Sequence, residues 1–96
     1  MLKISEIDTR TEQKLILEGR LTAPWIAELR SHWQQIRHAH PERKFVVDLT
    51  GVTRIDSAGE NALALMKTDG AEFLARGIRM KHIVKDLEAQ QKTLGD

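Results

Sequence analysis

Residues 45–60 read FVVDLTGVTRIDSAGE. Phe45, Val46 and Val47 form a short apolar run without alternation, the pattern of a strand buried on both faces. The run ends in Asp48, and a small loop is expected after it. Ser57 then opens a helical pattern, with Leu63, Met66, Gly70, Phe73 and Leu74 on one stripe. The stripe predicts a helix over residues 57–76, with Gly77 as the residue just past its end. Gly70 inside such a helix costs about 1 kcal/mol relative to alanine, and its place on the stripe implies close packing on the sheet.

The flanking sequence supplies the remaining elements. Leu2, Ile4 and Ile7 fall in a short strand. After the polar turn from Asp8 to Gln13, the stretch KLILE (residues 14–18) is a second strand, and Gly19 lets the chain bend. Thr22 reads as a helix cap with Pro24 in the first turn. Ile26, Leu29, Trp33 and Ile36 make one helical face, which fades at His40-Pro41. Ile78, Met80 and His82 alternate as a fourth strand. Val84, Leu87, Gln91 and Leu94 give a last helical face ending at Gly95. The order is β-β-α-β-α-β-α. Strands separated by helices pair in parallel through right-handed crossovers. The expectation is an α/β domain with a mixed sheet of about four strands and helices mainly on one face, filling residues 1–96 as one unit.

Composition removes several classes of function. The 96 residues carry a net charge of +1, are 41% hydrophobic and 30% charged, and include no cysteine. Near-neutral charge gives no long-range pull toward nucleic acid or an anionic membrane. No apolar run approaches the length of a membrane span, and no signal-peptide core is present at the start. Lack of cysteine rules out disulfides, a thiolate nucleophile and Cys-ligated zinc, and a reducing cytoplasm is the simplest compartment. No nucleotide-binding glycine motif and no His-Glu-x-x-His frame occurs, so neither cofactor nor metal is expected. His32, with Glu28 one turn before it, and His38, His40 and His82 read as surface or helix-end residues. The basic stretch Arg37, Arg43 and Lys44 reads as a solvated loop. Trp33 belongs to the core stripe; Trp25, near the helix start, is also expected to pack on the core, the alternative being a partly exposed anchor for a partner.

The chemistry concentrates at Asp56 and Ser57. Ser57-Ala58-Gly59-Glu60 fits a capping box, in which the serine oxygen accepts an early helix N–H and Glu60 reaches back. The same place suits a regulated hydroxyl. A helix start presents unpaired N–H groups and a partial positive charge, and a phosphate adds about −1.5 to −2 charges beside Asp56 and Glu60. Both readings stand together, since a cap can be modified. Asp48 and Asp56 also admit a catalytic carboxylate pair near the strand end. Loop hydrogen bonds and capping account for both more simply, so no enzyme built on this pair is expected.

The stretch VVDLTGVTRIDSAG resembles the STAS domain, the module of anti-sigma-factor antagonists and of sulfate-transporter tails. The family pattern is an apolar strand, then D-L-S-G-V-x-x-I-D-S-S-G, then a helix. Asp48, Leu49, Thr50, Gly51, Val52, Ile55, Asp56, Ser57 and Gly59 match it in register, and Gly19-Arg20-Leu21-Thr22 resembles the family's G-x-L-D before its first helix. The likeness spans residues 1–84. Where the family has a second hydroxyl and Leu-Gly, this chain has Ala58 and Glu60-Asn61, and it is shorter at the C-terminal side. In the antagonist branch the serine after the second aspartate is phosphorylated by a partner anti-sigma kinase. The resemblance thus implies Ser57 as phosphoacceptor and Asp56, Ser57, Ala58, Gly59, Glu60 and Asn61 as the partner-binding surface. It implies a protein partner in transcription regulation, an anti-sigma-factor serine kinase, and it admits a homodimer. Other branches use the same domain as a constitutive scaffold or adaptor in signalling or transporter complexes, without phosphorylation.

Overall fold

The computed structural model describes residues 1–94, with side chains through residue 87. The elements are β1 (Leu2–Asp8), β2 (Glu12–Leu21), α1 (Ile26–Ala39), β3 (Lys44–Ile55), α2 (Ser57–Thr68), β4 (Glu72–Leu74) and α3 (Ile78–Leu94). The strands lie in the sheet order β1-β2-β3-β4. β1 and β2 form an antiparallel hairpin, and β3 and β4 add in parallel. The β2-α1-β3 and β3-α2-β4 crossovers step the same way across the sheet. With the usual right hand, both helices fall on one face.

Side-chain burial agrees with that arrangement. Leu15 and Leu17 of β2 and Phe45, Val47 and Leu49 of β3 alternate toward a single core. Leu29, Trp33 and Ile36 of α1, Leu63 and Met66 of α2, and Met80, Val84 and Leu87 of α3 close over it. The Trp33 and Phe45 rings meet edge to face at 5.2 Å. Trp33 Nε1 donates to Asp69 Oδ2 at 2.9 Å, and Arg37 pairs with the same oxygen at 3.2 Å. These contacts tie α1 to the end of α2. Gln13 is buried, and its Oε1 has no hydrogen-bond partner among the described residues, a desolvation cost of about 1–3 kcal/mol.

The element order matches the expectation, but several boundaries do not. β2 continues through Gly19 to Leu21, with a register shift against β3 at Gly19/Arg20. The loop expected after Asp48 is strand, since β3 runs on to Ile55. Helix α1 starts at Ile26 and not at Thr22. Residues 22–25 close as a turn, with Trp25 N–H donating to the Thr22 carbonyl at 2.9 Å and a cis Ala23–Pro24 bond. The first helical residues follow Trp25, which caps without a side-chain bond.

The helix expected over 57–76 is two elements. At its end Gly70 N–H reaches the Lys67 carbonyl and Ala71 N–H reaches the Met66 carbonyl, both at 3.0 Å. That pair of bonds is a Schellman motif, with Gly70 (φ +104) as the left-handed residue and Met66 and Ala71 both buried. Gly70 therefore ends the helix; it does not pack it on the sheet. Phe73 and Leu74, which continued the helical stripe by spacing, belong to β4. The strand expected at Ile78, Met80 and His82 is the start of α3. A strand would put Ile78 and Met80 on one face; instead Met80 is buried with Val84 and Leu87, while Ile78 is 81% exposed. The expected helix end at Gly95 lies outside the described residues.

Candidate functional site

Asp56 follows directly on β3 and caps α2. Its Oδ1 accepts from Gly59 N–H at 2.9 Å, and its carbonyl accepts from Glu60 N–H at 2.9 Å. The cap is thus Asp56, one residue earlier than the expected Ser57. An aspartate at this position is as good a cap as serine and adds a favourable charge at the positive helix end. Its second oxygen, Oδ2, accepts from Ala23 N–H at 3.1 Å. Asp56 N–H also donates to the Leu21 carbonyl at 3.4 Å. One carboxylate therefore holds the start of α2 and the turn before α1 together.

Released from capping, Ser57 is the first residue of α2, exposed, and its hydroxyl makes no hydrogen bond among the described residues. The Ser57 and Ala58 N–H groups have no acceptor within the helix. Glu60 and Asn61 are exposed, Ala58 is half-buried and Gly59 is buried. A Cβ on Gly59 would stand 2.1 Å from the Leu21 carbonyl oxygen. Gly59 therefore shapes the surface from beneath, by letting α2 lie against the end of β2. The structure also adds neighbours that spacing did not single out: Leu21 and Ala23 stand beside the motif because Asp56 bonds to the backbone of both. Thr22 and Pro24 were the local signals, and they pointed to a helix start.

Asp48 and Asp56 are not brought together. Both belong to the run of β3 and its end, so eight residues of extended chain put them roughly 25 Å apart. Asp48 is engaged on the sheet face away from the helices. Its Oδ1 accepts from the Thr50 N–H (2.9 Å) and hydroxyl (2.7 Å), and Lys14 Nζ lies 3.8 Å from Oδ2. Partial burial acts to raise its pKa, but the Thr50 bonds and the Lys14 charge outweigh that and hold the carboxyl below its ordinary value. A lowered folded-state pKa means stability present above the unfolded value of about 3.9 and lost as pH falls through the folded one. Asp48→Asn should therefore unfold at lower urea than wild type at pH 7, and the gap should close in strong acid. An undiminished gap there would contradict the assignment.

The other sequence candidates have structural employment. His32 faces Glu6 at 4.0 Å and not Glu28. Among the described residues no three metal-ligating side chains cluster. The basic stretch expected as a solvated loop is an anchoring one. Arg37 pairs with Asp69, Arg43 with Asp8 and the Thr9 carbonyl, and Lys44 with Glu72. A wide concavity of about 760 Å3 beside Gln34, His38 and Pro41 lies along the last turns of α1, at the opposite end of the sheet from Ser57. Among the described residues no helix is long and apolar enough to cross a membrane.

No family model and no curated protein matches the sequence. Solved structures do match the fold. The anti-sigma factor antagonist SpoIIAA in its unphosphorylated form aligns over 100% of both chains, with a TM-score of 0.70 and 13% identity. Mglu aligns over 77% of this chain and 19% of its own, with a TM-score of 0.59 and 19% identity. Its native form gives a TM-score of 0.55 and 17% identity over 74% of this chain and 22% of that one. The mixed four-stranded sheet, the three helices and their order are therefore those of the STAS fold, in the form taken by the antagonist SpoIIAA.

Proposed function

We propose that this chain is a cytoplasmic regulatory domain that binds a protein partner in the manner of an anti-sigma-factor antagonist. Ser57 is its phosphoacceptor and a serine kinase its partner. The observation that carries the reading is Ser57 itself: an exposed, unbonded hydroxyl on the first residue of α2, held beside Asp56 in a fold that matches SpoIIAA along its whole length. A phosphoryl group there adds about −1.5 to −2 charges beside Asp56 and Glu60. The local surface becomes strongly anionic without any demand on the core, because the hydroxyl holds nothing in place. The docking surface comprises Asp56, Ser57, Ala58, Glu60 and Asn61, with Gly59 setting their height.

The test is incubation with candidate serine kinases encoded beside the protein, followed by mass spectrometry. Phosphate on Ser57, and loss of partner binding in Ser57→Asp but not Ser57→Ala, is the expected result. A kinase-free gene neighbourhood, together with a Ser57→Asp variant that binds as wild type does, would reject the switch. The alignment with 19% of Mglu puts the same fold inside a longer chain, and the second reading we carry is a constitutive adaptor in which Ser57 is never modified and Ser57→Asp leaves complex formation intact.

A further inference from the structure

A second concave surface adjoins the Ser57 site. It is a cleft of about 230 Å3 between the end of β3 and the start of α3. Val52, Ile55 and Met80 supply apolar lining, and Arg54, Arg76 and Arg79 supply charge. Ile55 and Met80 belong to the core, whereas all three arginines are exposed. None of the three has an ion pair or hydrogen bond among the described residues, in contrast to Arg37 and Arg43, which each hold a carboxylate. Helix α3 opens here with no acidic residue in its first turn, so its partial positive charge adds to theirs. Ile78, on the cleft wall, is 81% exposed. The whole chain has a net charge of only +1, so this concentration of basic groups is local.

We propose that this cleft docks an acidic segment of a protein partner, with one aliphatic side chain entering beside Val52, Ile55 and Met80 and flanking carboxylates meeting Arg54, Arg76 and Arg79. An apolar centre with a charged rim is the anatomy of a protein-protein contact, and guanidinium groups bind carboxylates through paired hydrogen bonds. A lipid surface fits less well. Its contact would be flat, and Ile78 is the single strongly exposed aliphatic side chain of the cleft. The inference rests on the proposed protein-binding role and names the chemistry of the partner. It also gives Ser57 modification a direction. Ser57 follows the cleft residue Ile55 by two positions, within about 7 Å along the chain. A phosphate there would compete for the same arginines and weaken docking.

The test uses the full chain, isotope-labelled and unmodified, titrated with a synthetic peptide of Glu and Asp around a central Leu. Saturable shifts at the amides of residues 54–55 and 76–80 are expected. Affinity should fall about tenfold or more in Arg76→Glu/Arg79→Glu and weaken in Ile78→Ser, with melting temperatures checked in both. Equal affinity for a peptide with Gly in place of Leu, or the same shifts from inorganic phosphate alone, would overturn the proposal in favour of a plain anion site. Binding to phosphatidylserine vesicles through these residues, without peptide binding, would overturn it in favour of a membrane. No kinase is involved, so failure here leaves the Ser57 experiment intact. A chain that binds the peptide but is never phosphorylated would retain the cleft and lose the switch.

Discussion

Gly59→Ala is expected to destabilise the protein by about 2–3 kcal/mol, a fall in melting temperature of about 10–20 °C for a domain of this size. A methyl group at this position would lie 2.1 Å from the Leu21 carbonyl oxygen, 3.2 Å from its carbon and 2.9 Å from Ile55 Cγ1. The first two are backbone atoms and cannot rotate away. Relief requires the first turn of α2 to lift from the end of β2, which stretches the Asp56 bonds to Leu21 and Ala23. Alanine's better helix propensity, about 1 kcal/mol over glycine, works against this cost and does not cover it. Gly70→Ala is the internal control. Nothing lies within 4 Å of a Cβ there, and the cost is confined to a left-handed backbone, about 1–2 kcal/mol. Thermal unfolding of both variants checks the ranking. A Gly59→Ala protein as stable as Gly70→Ala would mean that α2 is not held against β2 as described.

Phe45 to Val47 was legible as a buried strand because a short β-branched and aromatic run without alternation suits a strand covered on both faces. Ser57 was legible as the start of a helix because the stripe through Leu63 and Met66 begins there. The far end of that helix was not legible. Phe73 and Leu74 lie at distances from Met66 that suit a helix, and a three-residue strand is too short to impose its own period. Only the Schellman bonds of Gly70 and Ala71 show the break.

Moving that break displaced what followed. Ile78, Met80 and His82 alternate on paper, yet Met80, Val84 and Leu87 are spaced as one helix face and are the residues buried. At the other end, Thr22 and Pro24 carried every local sign of a helix start. They were overruled by a carboxylate more than thirty positions away, since Asp56 takes the Ala23 N–H and Trp25 closes a turn onto Thr22. Local propensity fails here because the competing hydrogen bond is tertiary. The site was legible as a place, Asp56 to Asn61, but its internal division of labour was not. Asp-Ser-x-Gly and Ser-x-x-Glu offer overlapping caps, and spacing alone cannot choose between them.

That choice has a direct experimental signature at Asp56. Its two carboxylate oxygens serve two different N–H groups, Gly59 within α2 and Ala23 in the turn before α1. Asp56→Ala removes both acceptors and should cost about 2–3 kcal/mol, the loss of an N-cap together with a charge-assisted bond. Asp56→Asn retains one acceptor oxygen and turns an NH2 toward the other donor, so about 1–2 kcal/mol is expected. Ser57→Ala, by contrast, removes an exposed hydroxyl that bonds to nothing described, and should stay within about 0.5 kcal/mol of wild type. Hydrogen exchange locates the effect: the Gly59 and Ala23 amides should lose protection together in Asp56→Ala and neither should in Ser57→Ala. If Ser57→Ala proves the costlier change, the serine is the cap, and its modification would have to break the helix start. If Asp56 is costlier, as this geometry requires, Ser57 is free to carry a phosphate while the fold beneath it stays intact. A switch at that position can then act on a partner without unfolding its own domain.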